Sequence, residues 1–150
     1  RHSMGMLPST TTPAGFVLLS LAGLLVGVWL ASYRSIRTHL LITRVKPGDG
    51  ITYPRIGDKL TMHYTGSFVN GTKFDSSYAR GEPFSFVVGR NQVIRGWDKG
   101  LMQLSLGERA ILHVPSEQGY GEHGVGNVIP PDTDLDFDVE LLRIRRESIA

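Results

Sequence analysis

The sequence predicts an α+β fold, an antiparallel sheet of about five strands wrapped on one short α-helix. Three observations predict it. Short runs of alternating apolar and polar residues recur along the chain, bounded by turn-forming residues. The 18 glycines and 8 prolines in 150 residues fit many tight turns. One short stretch of the folded part has helical spacing, where Trp97, Leu101 and Leu104 recur at i, i+4 and i+7.

The elements follow in order. Residues 40–45 read as a first strand, closed by the turn cluster Lys46-Pro47-Gly48-Asp49-Gly50. Leu60, Met62 and Tyr64 alternate with Thr61, His63 and Thr65, the pattern of a half-buried strand. Asn70-Gly71 signals a hairpin. Phe74, and then Phe84-Ser85-Phe86, read as short strands on either side of a Gly81-Glu82-Pro83 break. The helix opens near Val93-Ile94-Arg95-Gly96-Trp97, and Gly107 stands where a helix stop is expected. Ala110, Leu112 and Val114 share one face of the next strand. In the last strand Leu135, Phe137, Val139 and Leu141 alternate with Asp134, Asp136, Asp138 and Glu140, which predicts an apolar face and a solvated acidic one.

Charge is unevenly divided. Of the 16 Lys and Arg, four precede Lys46, and the other twelve share residues 46–150 with all 14 Asp and Glu. The basic surplus therefore lies in the leader, and the folded part lacks the net positive charge of a nucleic-acid-binding domain. With no cysteine, disulfides, thiol catalysis and Cys-ligated zinc are excluded.

Residues 1–13 read as a polar leader whose Arg1-His2-Ser3 looks like a tag remnant. Residues 14–33 are uncharged and, as a helix, about 30 Å long, enough to cross a hydrocarbon core. Trp29 and Tyr33 would form an interfacial belt, and Gly23 and Gly27 a GxxxG pair. Arg34 and Arg37 follow the run, so the positive-inside rule places the folded part in the cytoplasm behind a membrane anchor. Two other readings stand beside it. A cleaved signal would lead to the endoplasmic reticulum lumen or the secretory route, and a non-native leader would leave a soluble cytoplasmic protein. Residues 34–43 are a linker and first strand, and 148–150 a tail.

Several motifs carry no chemistry. Gly119-Tyr120-Gly121-Glu122-His123-Gly124 matches GxGxxG, but Pro130-Pro131 follows and no helix does, so it is a glycine-rich loop. The five histidines lack metal spacing, and the acidic strand lacks that of a calcium loop, so no metal or other cofactor is expected. No GxSxG is present. Asn70-Gly71-Thr72 is a glycosylation sequon that matters only in a lumen. Asp75, in an aromatic-rich stretch, is either a surface residue or an acceptor that orients a neighbour or ligand. Trp97 is either ordinary core or the floor of a pocket.

Together, several runs resemble the FKBP family, the tacrolimus- and rapamycin-binding peptidyl-prolyl isomerases. These are the turn cluster with Val45 before it, His63-Tyr64-Thr65-Gly66, Lys73-Phe74-Asp75-Ser76-Ser77 and Pro83-Phe84-Ser85-Phe86, then Val93-Ile94-Arg95-Gly96-Trp97, Tyr120-Gly121, Val128-Ile129-Pro130-Pro131 and Phe137-Asp138-Val139-Glu140-Leu141-Leu142. They keep the family's order over about residues 44–146, within an isomerase domain bounded at 44–147.

The resemblance implies a curved sheet with a pocket between sheet and helix. Its lining would be Tyr64, Phe74, Asp75, Phe84, Phe86, Val93, Ile94, Trp97, Tyr120, Ile129 and Phe137, with Trp97 as the floor. The implied catalytic set is Tyr64, Phe74, Asp75, Trp97, Tyr120 and Phe137. The Ile94 N–H and Tyr120 hydroxyl would bond ligand carbonyls, and Asp75 would hold Tyr64 and accept from a macrolide hydroxyl. Implied partners are proline-containing peptides, unfolded proteins, tacrolimus and rapamycin, with calcineurin or TOR kinase in ternary complexes. Membrane contact would run through 14–33, and no nucleic-acid partner is implied. A non-catalytic proline-motif module or chaperone is the alternative. The sequence departs from the best-known small members at Glu122, His123, Val125, Gly126 and Asn127, and Gln118 replaces an aromatic.

Overall fold

The computed structural model describes residues 38–146. The leader, the apolar run 14–33 and the tail 148–150 lie outside them. Among the described residues no helix is long and apolar enough to cross a membrane.

Six strands form one antiparallel sheet: β1 (Leu41–Lys46), β2 (Lys59–Phe68), β3 (Lys73–Ser76), β4 (Phe84–Val87), β5 (Arg109–Val114) and β6 (Leu135–Arg145). The order is β1-β5-β6-β2-β3, and β4 also pairs with β2. The sixth strand arises because β2 is long enough to share one edge. Residues 65–67 of β2 pair with β3, and 59–62 pair with β4. β2 and β6, of 10 and 11 residues, pair along their length and form the spine.

Alternation decides which face is core. Leu60, Met62 and Tyr64 of β2, Ala110, Leu112 and Val114 of β5, and Leu135, Phe137, Val139 and Leu141 of β6 are all buried on the inner face. Burying each such large apolar side chain contributes about 1.5–3 kcal/mol. The acidic outer row of β6 is less solvated than its pattern suggests. Asp136 bonds His113 at 2.8 Å, Asp138 takes Arg109 in a two-bond fork, and Glu140 accepts from the Tyr78 hydroxyl. Both strand histidines are structural. His63 bonds Ser77 and stacks on Tyr78, and His113 also meets Thr43 at 3.0 Å.

Between β3 and β4 a four-residue helix, α1 (Ser77–Arg80), is capped by the Ser76 side chain and ends at left-handed Gly81. The main helix, α2 (Arg95–Gly100), is shorter than the apolar spacing predicts. The chain tightens into a 3₁₀ turn over Leu101–Gln103, and Leu104 is extended. Trp97, Leu101 and Leu104 are still all buried. Gly107 is therefore not a helix stop. With φ +81°, it sits in the turn into β5 and its N–H bonds the Leu141 carbonyl.

Two glycines let α2 lie flush on β5. A Cβ on Gly96 would stand 2.6 Å from Val114, and one on Gly100 would stand 3.0 Å from Leu112. Asp98, buried in the first turn, accepts from the N–H groups of Gly89 and Asn91 and so fastens the loop that leads into Val93-Ile94.

Candidate active site

β2 presents Tyr64 on the inner face, and α2 presents Trp97 against it. The two rings meet edge to face with centroids 4.8 Å apart. Phe137 of β6 stands edge-on to Trp97 at 5.2 Å, and Phe74 of β3 edge-on to Phe137 at 5.9 Å. Phe84 and Phe86 of β4 stack at 5.8 Å, and both lie within about 6 Å of Trp97. Ile129 is buried in the same cluster, and Val93 and Ile94 pack against it.

These rings close on one another because β2 carries Gly66. A Cβ there would stand 2.7 Å from the Phe74 ring and 3.0 Å from Phe137. The Trp97 indole N–H is buried without a hydrogen-bond partner among the described residues. The Ile94 carbonyl accepts from the N–H groups of Trp97 and Asp98, while its own N–H bonds no acceptor among the described residues.

One edge of this apolar cluster is polar. The Tyr64 hydroxyl donates to the Asp75 carboxylate, and the Arg80 guanidinium bonds both, reaching the Tyr64 oxygen at 2.9 Å. Burial by itself raises the Asp75 carboxyl. The Tyr64 bond and the bond and charge of Arg80 outweigh that effect and hold it below the ordinary carboxylate range. Burial first, and then the bond to Asp75, pushes the Tyr64 phenol up against the opposing pull of Arg80. Tyr120 is also raised, by burial and then by the negative charge of Asp75.

The sequence-derived lining thus gathers mainly on one side of α2. Tyr120 makes no ring contact with the others among the described residues, and its link to them is the charge of Asp75. It stands on the loop between β5 and β6, where Gly121–His123 makes one 3₁₀ turn and Val125 bridges to Ile129. Asp75, left open by its sequence context, is an acceptor that fixes a neighbour.

Sequence reasoning missed Arg80, Ser77 and Gly66. Ser77, fully buried, accepts from the Tyr64 N–H at 2.8 Å and donates to its carbonyl at 3.2 Å. Its only sequence signal was its place at the end of the Lys73-Phe74-Asp75-Ser76-Ser77 run. Arg80 lies five residues past Asp75 on a helix too short to show periodicity.

An antiparallel sheet thus carries the short helix α2 over an aromatic cluster that is bordered by the Tyr64–Asp75–Arg80 group. Residues 50–142 match the FKBP-type peptidyl-prolyl cis-trans isomerase family. FK506-binding protein 1 of Yarrowia lipolytica is 54% identical over 103 residues, 69% of this chain and 95% of that protein. Peptidyl-prolyl cis-trans isomerase Fkbp12 of Drosophila melanogaster is 52% identical over 103 residues, with the same 69% and 95% covered. FK506-binding protein 1 of Saccharomyces cerevisiae is 50% identical over 109 residues, 73% of this chain and 96% of that protein. The chain belongs to the FKBP-type peptidyl-prolyl cis-trans isomerase family.

Proposed function

We propose that prolyl isomerisation takes place in the cleft between α2 and the inner face of the sheet. The supporting observation is the ring cluster around Trp97, with the Ile94 N–H, which bonds no acceptor among the described residues, beside it. An X-Pro bond rotates slowly because amide resonance must be broken, across about 18–20 kcal/mol. The twisted amide has lost that resonance and is less polar than the planar one. An apolar, water-poor cleft therefore favours it over the ground state. About 5 kcal/mol of such selective stabilisation accelerates rotation thousands-fold.

In this reading Trp97 is the floor under the prolyl ring, and Phe74, Phe84, Phe86, Val93, Ile129 and Phe137 are the walls. The Ile94 N–H and Tyr120 hydroxyl hold carbonyl groups on either side of the rotating X-Pro bond. Tyr64 and Asp75 orient one another, and Asp75 is not a general base. The test is a protease-coupled assay on a Leu-Pro or Phe-Pro tetrapeptide, with and without rapamycin. Rapamycin-sensitive acceleration is expected, and relaxation no faster than in buffer contradicts the reading.

Relatives carry FK506 binding in their names, and the same cleft is proposed to take tacrolimus and rapamycin here. Unfolded proteins with exposed X-Pro bonds are the proposed physiological substrates. The surface beside Tyr120, with residues 122–127, is where a ternary complex with calcineurin or TOR kinase would form. Membrane anchoring through 14–33, with the domain on the cytoplasmic side, is proposed from the sequence alone. Carbonate extraction of native membranes tests it, and a glycan on Asn70 contradicts the cytoplasmic orientation.

A further inference from the structure

The outer face of the sheet, opposite the cleft, carries charge in two unlike halves. Towards the start of β6 the acidic side chains are matched, as with Asp136 and His113 or Asp138 and Arg109. Towards its end the side chains are basic and unmatched. Lys59 of β2 stands directly opposite Arg145 of β6, and Thr61 stands opposite Arg143. Opposed residues share a face, and neighbours two apart along a strand share it too. Leu60 and Ile144, between them, point into the core. Lys59, Arg143 and Arg145 therefore project together from the outer face. All three are exposed, and none has a carboxylate partner among the described residues. The nearby Arg146 does have one, the buried Asp58.

A like-charged pair placed directly across two strands destabilises a sheet. No carboxylate among the described residues neutralises it, so this corner of the outer face is net positive. The patch lies on the paired strands β6, β2 and β4, where a bulge at Leu142 separates the Met62–Leu141 and Thr61–Arg143 pairs. Exposed Leu142, the bulged residue, stands next to Arg143 in the strand. Clustered exposed basic side chains with an exposed apolar neighbour are the composition of a membrane-surface site. The residues paired with the patch are Val87, Thr61 and Ser85, so no aromatic platform for nucleobases is built into it. We propose that Lys59, Arg143 and Arg145 form a docking surface for an anionic membrane, binding lipid phosphate and carboxylate groups electrostatically. Docked on this face, the domain keeps the cleft on the far side of the sheet, open to substrate. The proposal does not require 14–33 to enter a bilayer.

The test uses the full chain and vesicles of phosphatidylcholine, alone or mixed with phosphatidylserine. Phosphatidylserine is expected to tighten binding, and raised salt to abolish the gain. Replacing Lys59, Arg143 and Arg145 together by Gln is expected to remove about a hundredfold of that gain, about fivefold per cation. Binding through 14–33 alone persists on neutral vesicles and is unaltered in the variant, so the two contributions separate. A gain that survives in the variant, or no gain in the wild type, overturns the proposal. So does tighter capture by a single-stranded oligonucleotide or polyglutamate than by vesicles at equal charge. Isomerase activity reports folding of the variant, and its Tm is expected to be unchanged or raised because the Lys59–Arg145 repulsion is gone.

Discussion

The phenol of Tyr64 on β2 donates a hydrogen bond to the carboxylate of Asp75 on β3, tying two strands together at the edge of the aromatic cluster. The bond turns Tyr64 so that its ring, rather than its hydroxyl, faces Trp97. Arg80 closes the arrangement by bonding both oxygens, and its guanidinium carbon lies 5.5 Å from the centre of the Tyr64 ring.

This arrangement sets a pH window. The Asp75 carboxyl is held below its ordinary value, so its contribution to stability is complete above the ordinary carboxylate range and is lost as pH falls through the folded value. The Tyr64 phenol is raised, so its contribution is complete below the ordinary phenol range and is lost as pH climbs through the folded value. Isomerase activity is expected to be flat between those limits. Asp75→Asn keeps an acceptor for Tyr64 but loses the charge, so kcat/KM should fall by no more than about tenfold. A pH profile with a neutral-range limb that vanishes in Asp75→Asn would show proton transfer and contradict the orienting role.

In the proposed cleft, some rings chiefly hold the fold and Trp97 is proposed as the floor. Phe137 is only 2% exposed and touches Trp97, Phe74 and Tyr64. Phe137→Ala should cost about 3–5 kcal/mol of stability along with most of the macrolide affinity. Trp97→Phe removes a buried N–H that has no partner among the described residues, so no hydrogen bond to them is lost with it. Its stability cost should be the smaller of the two, with reduced but measurable turnover. Urea denaturation and rapamycin titration of both variants check the ranking, and a larger stability loss for Trp97→Phe contradicts it.

Much of this was legible in the sequence, for physical reasons that differ by element. β2, β5 and β6 announce themselves because one face is core and the other is not, so alternation carries the signal. The aromatic lining was legible only through motifs in family order. Periodicity could not distinguish a Trp97 in the core from one under a ligand. The length of α2 was overread because Leu101 and Leu104 keep helical spacing while their backbone has left the helix. Counting strands from runs of residues missed that β2 serves two partners along one edge. The roles of Arg80 and Ser77 depend on the α1 turn folding back over β2, which no local pattern encodes.

Ser77 offers a test of that fold-back. Its hydroxyl bonds both backbone groups of Tyr64 and also meets Nδ1 of His63 at 2.8 Å. Ser77→Ala leaves the Tyr64 N–H and carbonyl buried without those partners, and should destabilise the domain by about 1–3 kcal/mol. Ser77→Thr keeps the hydroxyl but adds a methyl at a site with no exposure, and should do no better. Chemical denaturation measures both, and an unchanged midpoint for Ser77→Ala would mean that the hydroxyl is not what pins α1 to β2.

The last prediction concerns how Trp97 is held at its depth. Gly96 precedes it, and a Cβ there would stand 2.6 Å and 2.9 Å from the two methyl carbons of Val114. Gly96→Ala must therefore lift the start of α2 from β5, and it carries the Trp97 floor and the Ile94 N–H with it. Overpacking of this kind costs about 1–3 kcal/mol. The displacement should lower kcat/KM more than the stability loss alone explains. Val114→Ala removes the colliding methyls from the strand side, at the expense of a small void. In the double variant the two changes relieve one another, so activity should exceed that of Gly96→Ala while stability falls by less than the sum of the single effects. A double-mutant cycle on unfolding free energy and on kcat/KM reads both. Strict additivity in the two measurements would mean that the closeness of helix to strand at this point does not set the floor of the cleft.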